Sequence, residues 1–199
     1  NDEGQRVLSA TALAEMQSEQ APKLGEDGAV GLTWHIADVG SVRTVSHGGA
    51  TVGQIARLLL VPERGFALAV ASNADAGRSA VSAIVERALE LYLDAGAKTP
   101  AALALSEPEL AGYVGRYSRP FADVLVTLEN GGLLLQQVFK QGFPDKDTPP
   151  PEPRPPVPVE FFERDRLRPT TGPWRAEFVR KPGGEIGWLR LGGRIHFRR

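Results

Sequence analysis

The chain contains no cysteine, which excludes disulfides, thiolate nucleophiles and cysteine-ligated metal sites together. That absence does not fix a compartment, because a cysteine-free protein folds equally well in reducing and oxidising surroundings, and no localisation is assigned. No apolar run approaches the ~20 residues of a membrane-spanning helix. The longest, Phe66 to Ala71, reads as a buried strand. An excess of one charge is lacking too: 23 Lys and Arg stand against 24 Asp and Glu, a formal net charge of −1. No global field therefore draws the chain to nucleic acid or to an anionic membrane, and neither is expected as a partner. The arginine-rich stretch from Arg154 to Arg199 reads as a solvated face. The N-terminus lacks a start methionine, and Asn1–Arg6 is polar, without the apolar core of a signal peptide. The expectation is that something once preceded it.

What is present suits an ordinary globular protein, and 199 residues hold one large domain or two small ones. Ser9 is placed to cap a short helix through its hydroxyl, with Leu8 and Leu13 as a hydrophobic staple. Leu32, Trp34 and Ile36 alternate with polar or small residues, the period of a half-buried strand. Gln54 to Val61 and Phe66 to Ser72 are two more strands, joined by the turn Pro62-Glu63-Arg64-Gly65. The period then changes: Val81, Ile84, Val85, Ala88 and Leu91 recur at helical spacing, with Asp75 as candidate N-cap and Gly96 as candidate stop. Residues 1–96 are thus expected to form an antiparallel sheet with helices. An alanine-rich linker is expected over 97–108. Short strands separated by Asn130-Gly131-Gly132 and Pro182-Gly183-Gly184 predict a small all-β barrel over 109–199. Half of the sixteen prolines lie between Pro144 and Pro158, which reads as an extended loop.

The words that carry chemistry are Val45-Ser46-His47-Gly48-Gly49-Ala50-Thr51-Val52-Gly53. A basic side chain at a strand end followed by two glycines leaves an unobstructed strip of backbone to which a ligand can hydrogen-bond. Read alone, His-Gly-Gly is also what a surface turn looks like.

The order of words from Leu8 to Asn73 resembles the C-terminal third of the serine β-lactamase, penicillin-binding-protein and esterase superfamily, in its class C and D-aminopeptidase branch. The residues concerned are Gly31-Leu32-Thr33-Trp34, His47-Gly48-Gly49, Pro62-Glu63, Asn73 and the helix Arg78–Leu93. Tyr113-Val114-Gly115-Arg116-Tyr117 resembles the opening of the lipocalin-like domain often appended to these hydrolases. The resemblance implies an α+β class: an antiparallel sheet with flanking helices, part of a β-lactamase/transpeptidase-like fold, then a small lipocalin-like barrel. It also implies acyl-enzyme hydrolysis of a β-lactam, a D-amino-acid peptide or an ester. His47 would hold a substrate carboxylate or carbonyl, and Gly49 and Ala50 would line the strand, the Ala50 N–H serving as an oxyanion donor.

The chain departs from that pattern where the chemistry is made. No serine has lysine three residues on, and no tyrosine has asparagine or serine two residues on. Without a nucleophile no acyl-enzyme forms, so the chain alone is expected to be inactive. Two readings stay open. In one, the chain is the rear portion of a hydrolase whose partners are its missing N-terminal portion and a small acyl substrate, with an uncovered strand edge that invites homo-oligomers. In the other it is a non-enzymatic binding or assembly module. No cofactor is expected. His35, His47 and His196 are too scattered for a metal site. Asp38, Asp75 and Asp94 read as loop or cap residues. A triad of Ser46, His47 and Asp75 is rejected, because adjacent strand residues point to opposite faces.

Overall fold

In the structure, a computed structural model, residues 5–24, 27–51, 53–96, 99–142, 145, 147–172 and 174–199 are described. Gly25, Val52, Ala97, Lys98 and Pro144, on which some of the expectations fall, lie outside them. The chain divides into two compact units, Asn1–Thr99 and Pro100–Arg199.

The first unit begins with α1 (Ala10–Met16), whose N-cap Ser9 accepts a hydrogen bond from the Ala12 N–H at 3.0 Å. Six antiparallel strands follow in simple sequential order: β1 (Ala21–Pro22), β2 (Ala29–Val30), β3 (His35–Val39), β4 (Val42–Thr51), β5 (Gln54–Val61) and β6 (Phe66–Ser72). Glycine is required between β2 and β3, where the end of α1 abuts the sheet: a Cβ on Gly31 would meet the Met16 carbonyl oxygen at 2.4 Å. After β6 comes a 3₁₀ turn over Asp75–Gly77 and then α2 (Arg78–Leu93). Asp75 opens that turn instead of capping α2, and the helix stops at Asp94, in the left-handed region at φ 52°, rather than at Gly96. α2 buries Val81, Val85, Ala88 and Leu89, while Ile84 and Leu91 remain 48% and 60% exposed. The apolar stripe is wider than the strip of β5 and β6 that receives it, so its flank faces solvent.

The expected partial β-lactamase/transpeptidase-like fold with flanking helices is corrected by these observations. Among the described residues only α2 covers the sheet; α1 buries none of its residues. On the side away from α2, Ala56, Leu58, Ala67, Ala69 and Ala71 are exposed. The physical reason is where the buried side chains meet: the contiguous cluster of Val42, Leu59, Val61, Val85, Leu89 and Ala95 joins one helix to one sheet face.

The second unit opens with α3 (Glu107–Ala111), held by a reciprocal capping box between Ser106 and Glu109. Ahead of it, Leu103 bridges to Phe161 and the Pro100 carbonyl accepts from Arg168 at 2.8 Å, so residues from 100 onward are laid against this unit. Eight antiparallel strands close on themselves: β7 (Gly115–Ser118), β8 (Ala122–Glu129), β9 (Gly132–Phe139), β10 (Val157–Glu163), β11 (Arg166–Pro169), β12 (Ala176–Arg180), β13 (Ile186–Leu191) and β14 (Arg194–Arg198). Asn130 and Gly131 both have positive φ, as the two-residue turn between β8 and β9 demands. Pro158 lies inside β10, so the proline-rich loop ends one strand start earlier than 144–158 implies. Aromatic rings fill the interior: Phe178 packs on Tyr113, Tyr117 and Phe161 at centroid distances of 4.8, 5.4 and 6.3 Å. Burial pushes the Tyr117 hydroxyl up to about 12, and it donates to the Tyr113 carbonyl at 2.8 Å. This barrel is a packed core, with its inward side chains spent on filling it.

Candidate functional site

β4 is ten residues long, but β3 covers only its first half. Their pairing runs from Val39↔Val42 to His35↔Ser46 and stops. On its other side β4 pairs with β5 from Val45↔Leu60 to Thr51↔Gln54. Among the described residues, His47 to Thr51 therefore have a partner strand on one side and an open edge on the other.

The direction of each backbone group follows from the two hairpins. Residues 39 and 42 flank a two-residue turn, as do 51 and 54. The residues flanking such a turn exchange both hydrogen bonds, and the alternation continues along the strand. The first hairpin makes the even-numbered residues of β4 point toward β3. The second makes the odd-numbered ones point toward β5. Both give the same parity, so the N–H and C=O of Gly48 and Ala50 face the open edge, whereas those of Gly49 are spent on β5. The small side chains leave that edge clear. A Cβ on Gly49 would meet nothing within 4 Å, and one on Gly48 would press on the Ala56 carbonyl oxygen at 3.2 Å and the Arg57 side chain at 3.3 Å.

His47 is exposed at the start of this free segment. Its ring lies parallel to that of His35, with centroids 6.1 Å apart and planes 12° from parallel. Two of the three histidines thus come together in space, which their sequence spacing does not show; the register places His35 opposite Ser46, a relation that pairing alone reveals. His196 belongs to the barrel. Ser46 is buried and its hydroxyl accepts from the Arg57 guanidinium at 3.1 Å, so it takes no part in a triad with His47 and Asp75. Beside His35, the Trp34 indole N–H is buried without an acceptor among the described residues. Asn73 lines an open hollow of about 610 Å³ with Gln54, Val70, Ser72, Val81 and Ile84, on the α2 side of the sheet. Among the described residues no three His, Cys, Asp or Glu side chains cluster as metal ligands.

Sequence reasoning selected His47, Gly49 and Ala50. The geometry brings His47 and Ala50 to one edge, adds Gly48, and turns the Gly49 amide inward. The parity of the two hairpins was the signal that distinguishes Gly48 from Gly49.

No family model matches the chain, and no curated protein matches it. Solved structures do. The crystal structure of SurE with D-Leu is 26% identical at a TM-score of 0.61, over 96% of this chain and 44% of that one. The crystal structure of SurE is 25% identical at a TM-score of 0.60, over 96% and 43%. The octameric penicillin-binding protein homologue from Pyrococcus abyssi, at 18% identity and a TM-score of 0.46, spans all of this chain and 44% of its own, too distant a likeness to bear on function. The chain spans less than half the length of the SurE chains it matches.

These findings correct the family expectation. The likeness shown over nearly the whole chain, sheet and barrel together, is to SurE. The assignment to the C-terminal part of a serine β-lactamase-related hydrolase, with its acyl-enzyme hydrolysis and its hydrolase and penicillin-binding-protein-like labels, is not upheld. It rested on a handful of short words that no family model supports. Local packing accounts for several of them: Gly31 by its contact with Met16, Gly48 by its closeness to β5, and Pro62-Glu63 by the 3₁₀ turn between β5 and β6.

Proposed function

We propose that this chain presents a backbone edge that binds an amino-acid or short-peptide ligand, in the manner of a portion of a SurE-like protein. The carrying observation is the overrun of β4 past β3, which leaves the Gly48 and Ala50 amides directed at open space beside His47. Two N–H donors that point the same way from one strand edge, about 6.6 Å apart, suit successive carbonyl or carboxylate oxygens of an extended ligand, and the adjacent imidazole suits an anionic end. The SurE crystal structure with D-Leu makes D-leucine the natural first probe.

The rest of the site comes from outside these residues. The orphaned Trp34 indole, the uncovered alanine face of β5 and β6, and exposed Leu58 each call for a covering segment. Nine of the thirteen exposed large apolar side chains fall between Val7 and Tyr92, although both units are of similar length. A further segment of the same protein, preceding this one, is the partner proposed for that face.

The test is Ala50→Pro. Proline lacks the N–H, and at this position that N–H faces away from β5, so the ladder survives while the donor disappears. One charge-assisted hydrogen bond is worth about 1.5–3 kcal/mol, so D-leucine affinity, followed by NMR titration, should fall about 10- to 100-fold. Gly49→Ala should bind as the parent does, because its amide is turned inward and its Cβ position is empty. Unchanged affinity in Ala50→Pro would remove this edge from the site, and a parent chain that does not bind D-leucine would remove the reading.

A further inference from the structure

The residues around His47 do little to hold it. It stands exposed on the free half of β4, followed by two glycines that offer no side-chain wall, and its cross-strand neighbour Leu58 is itself 38% exposed. A side chain so placed ordinarily distributes over three staggered χ1 wells and two ring orientations. One ring lies against it, that of His35, parallel at 6.1 Å between centroids.

His35 is well anchored. It is half-buried, it opens β3, and its backbone is registered against Ser46. The turn that delivers it is fixed at both ends: the Gly31 N–H donates to the Trp34 carbonyl at 2.8 Å, and the Leu32 N–H donates to the Met16 carbonyl at 3.0 Å. Within that turn Thr33 adopts φ 70°, a left-handed conformation that β-branched residues avoid and that persists only where the surroundings impose it. The turn therefore holds Trp34 and His35 in place against local preference.

We infer that His35 is a positioning residue for the ligand edge: its imidazole, stacked on His47, selects the one orientation of the His47 ring that stands beside the Gly48 and Ala50 amides. This rests on the ligand-edge reading above and deepens it by naming what fixes the basic side chain. Selecting one of about three to six orientations is worth about a 3- to 6-fold gain in affinity, since the unselected fraction must otherwise be reordered on binding.

The experiment is a double-mutant cycle on the full chain, with D-leucine as the probe. His35→Ala should weaken D-leucine binding about 3- to 6-fold, and His35→Phe, which keeps a flat ring, should restore it. In a His47→Ala background His35→Ala should cost nothing more, because it acts through a ring no longer present. An equal loss in that background overturns the inference, as does failure of phenylalanine to rescue. A second readout needs no ligand: the χ1 couplings of His47, measured by NMR, should show one rotamer in the parent and averaging in His35→Ala. If the parent does not bind D-leucine but the couplings behave so, the ligand reading fails and the positioning role stands. If the parent binds and the couplings are averaged already, the positioning role fails alone.

Discussion

Phe178→Ala is expected to cost the barrel about 3–5 kcal/mol, the range for removing a large buried aromatic side chain. Phe178 is 2% exposed and lies among Tyr113, Tyr117 and Phe161, so its loss opens one void bordered by three rings rather than a dent at the wall. These rings cannot close over that void. Tyr117 is tied to the Tyr113 carbonyl, and Tyr113 donates to Asp165 at 2.8 Å, which in turn pairs with Arg180. For a domain of about 100 residues, 1 kcal/mol corresponds to roughly 4–8 °C, so the Tm of the barrel should fall by more than about 12 °C. Trp174 and Trp188 both lie in this unit, and their fluorescence on heating makes the measurement. Phe178→Leu, which refills much of the volume, should lose less than half as much. A Phe178→Ala barrel that melts within a few degrees of the parent would mean that the ring cluster is not what holds the barrel shut.

Much of this architecture is legible in the residue order wherever a local rule suffices. Ser9 caps α1 because a hydroxyl before an apolar-periodic segment has one obvious use, and Asn130-Gly131 turns because both residues tolerate positive φ. The strand runs Gln54–Val61 and Phe66–Ser72 lie where their apolar content places them. What was not legible depends on partners far along the chain. The buried face of α2 rotated away from Ile84 and Leu91, because only the sheet decides which part of a broad stripe is covered. Asp94 ended that helix in place of Gly96, a competition between two residues able to enter the left-handed region. At the candidate site, the basic side chain and the small residues could be read directly. Which amide faces outward could not, since that follows from the register of β4 against both neighbours. The family label failed for a related reason: short glycine words report close backbone contacts, and many sheets make such contacts.

Asp123→Ala should destabilise the barrel by about 2 kcal/mol, and the parent should lose stability in acid in two stages. Asp123 is 2% exposed and joins three strands: it accepts from Arg116 on β7 at 2.7 Å and pairs at 2.6 Å with Lys140, just past the end of β9. Breaking a buried ion pair typically costs about 3–5 kcal/mol because a charge is stranded. Here the partners left behind are 60% and 40% exposed, so water rehydrates them and the cost is smaller. Lys140→Ala instead leaves the buried carboxylate short of one cation, so by the same logic it should cost at least as much as Asp123→Ala, about 2–3 kcal/mol. Burial raises the Asp123 carboxyl, but hydrogen bonds from Lys140, Ser118 and Arg116 outweigh it and hold it below its usual range. Asp165 is lowered likewise: burial raises it, and Arg180 and Tyr113 more than compensate. A carboxyl lowered in the native state stabilises above its unfolded pKa of about 4 and loses that contribution as pH falls through the native value. His196 acts earlier. It is 1% exposed, and its Nε2 accepts from the Arg119 guanidinium at 3.2 Å, so burial and the neighbouring cation both favour the neutral ring and lower its pKa. The unfolded chain takes up that proton from about pH 6.5 downward, which the native barrel resists, so stability declines first between pH 7 and 5 and again below about 4. Denaturant titrations followed through Trp174 and Trp188 at pH 7, 5 and 3.5 resolve the stages. His196→Gln should flatten the first and leave the second, whereas an unchanged slope between pH 7 and 5 in that variant would clear His196 of the effect.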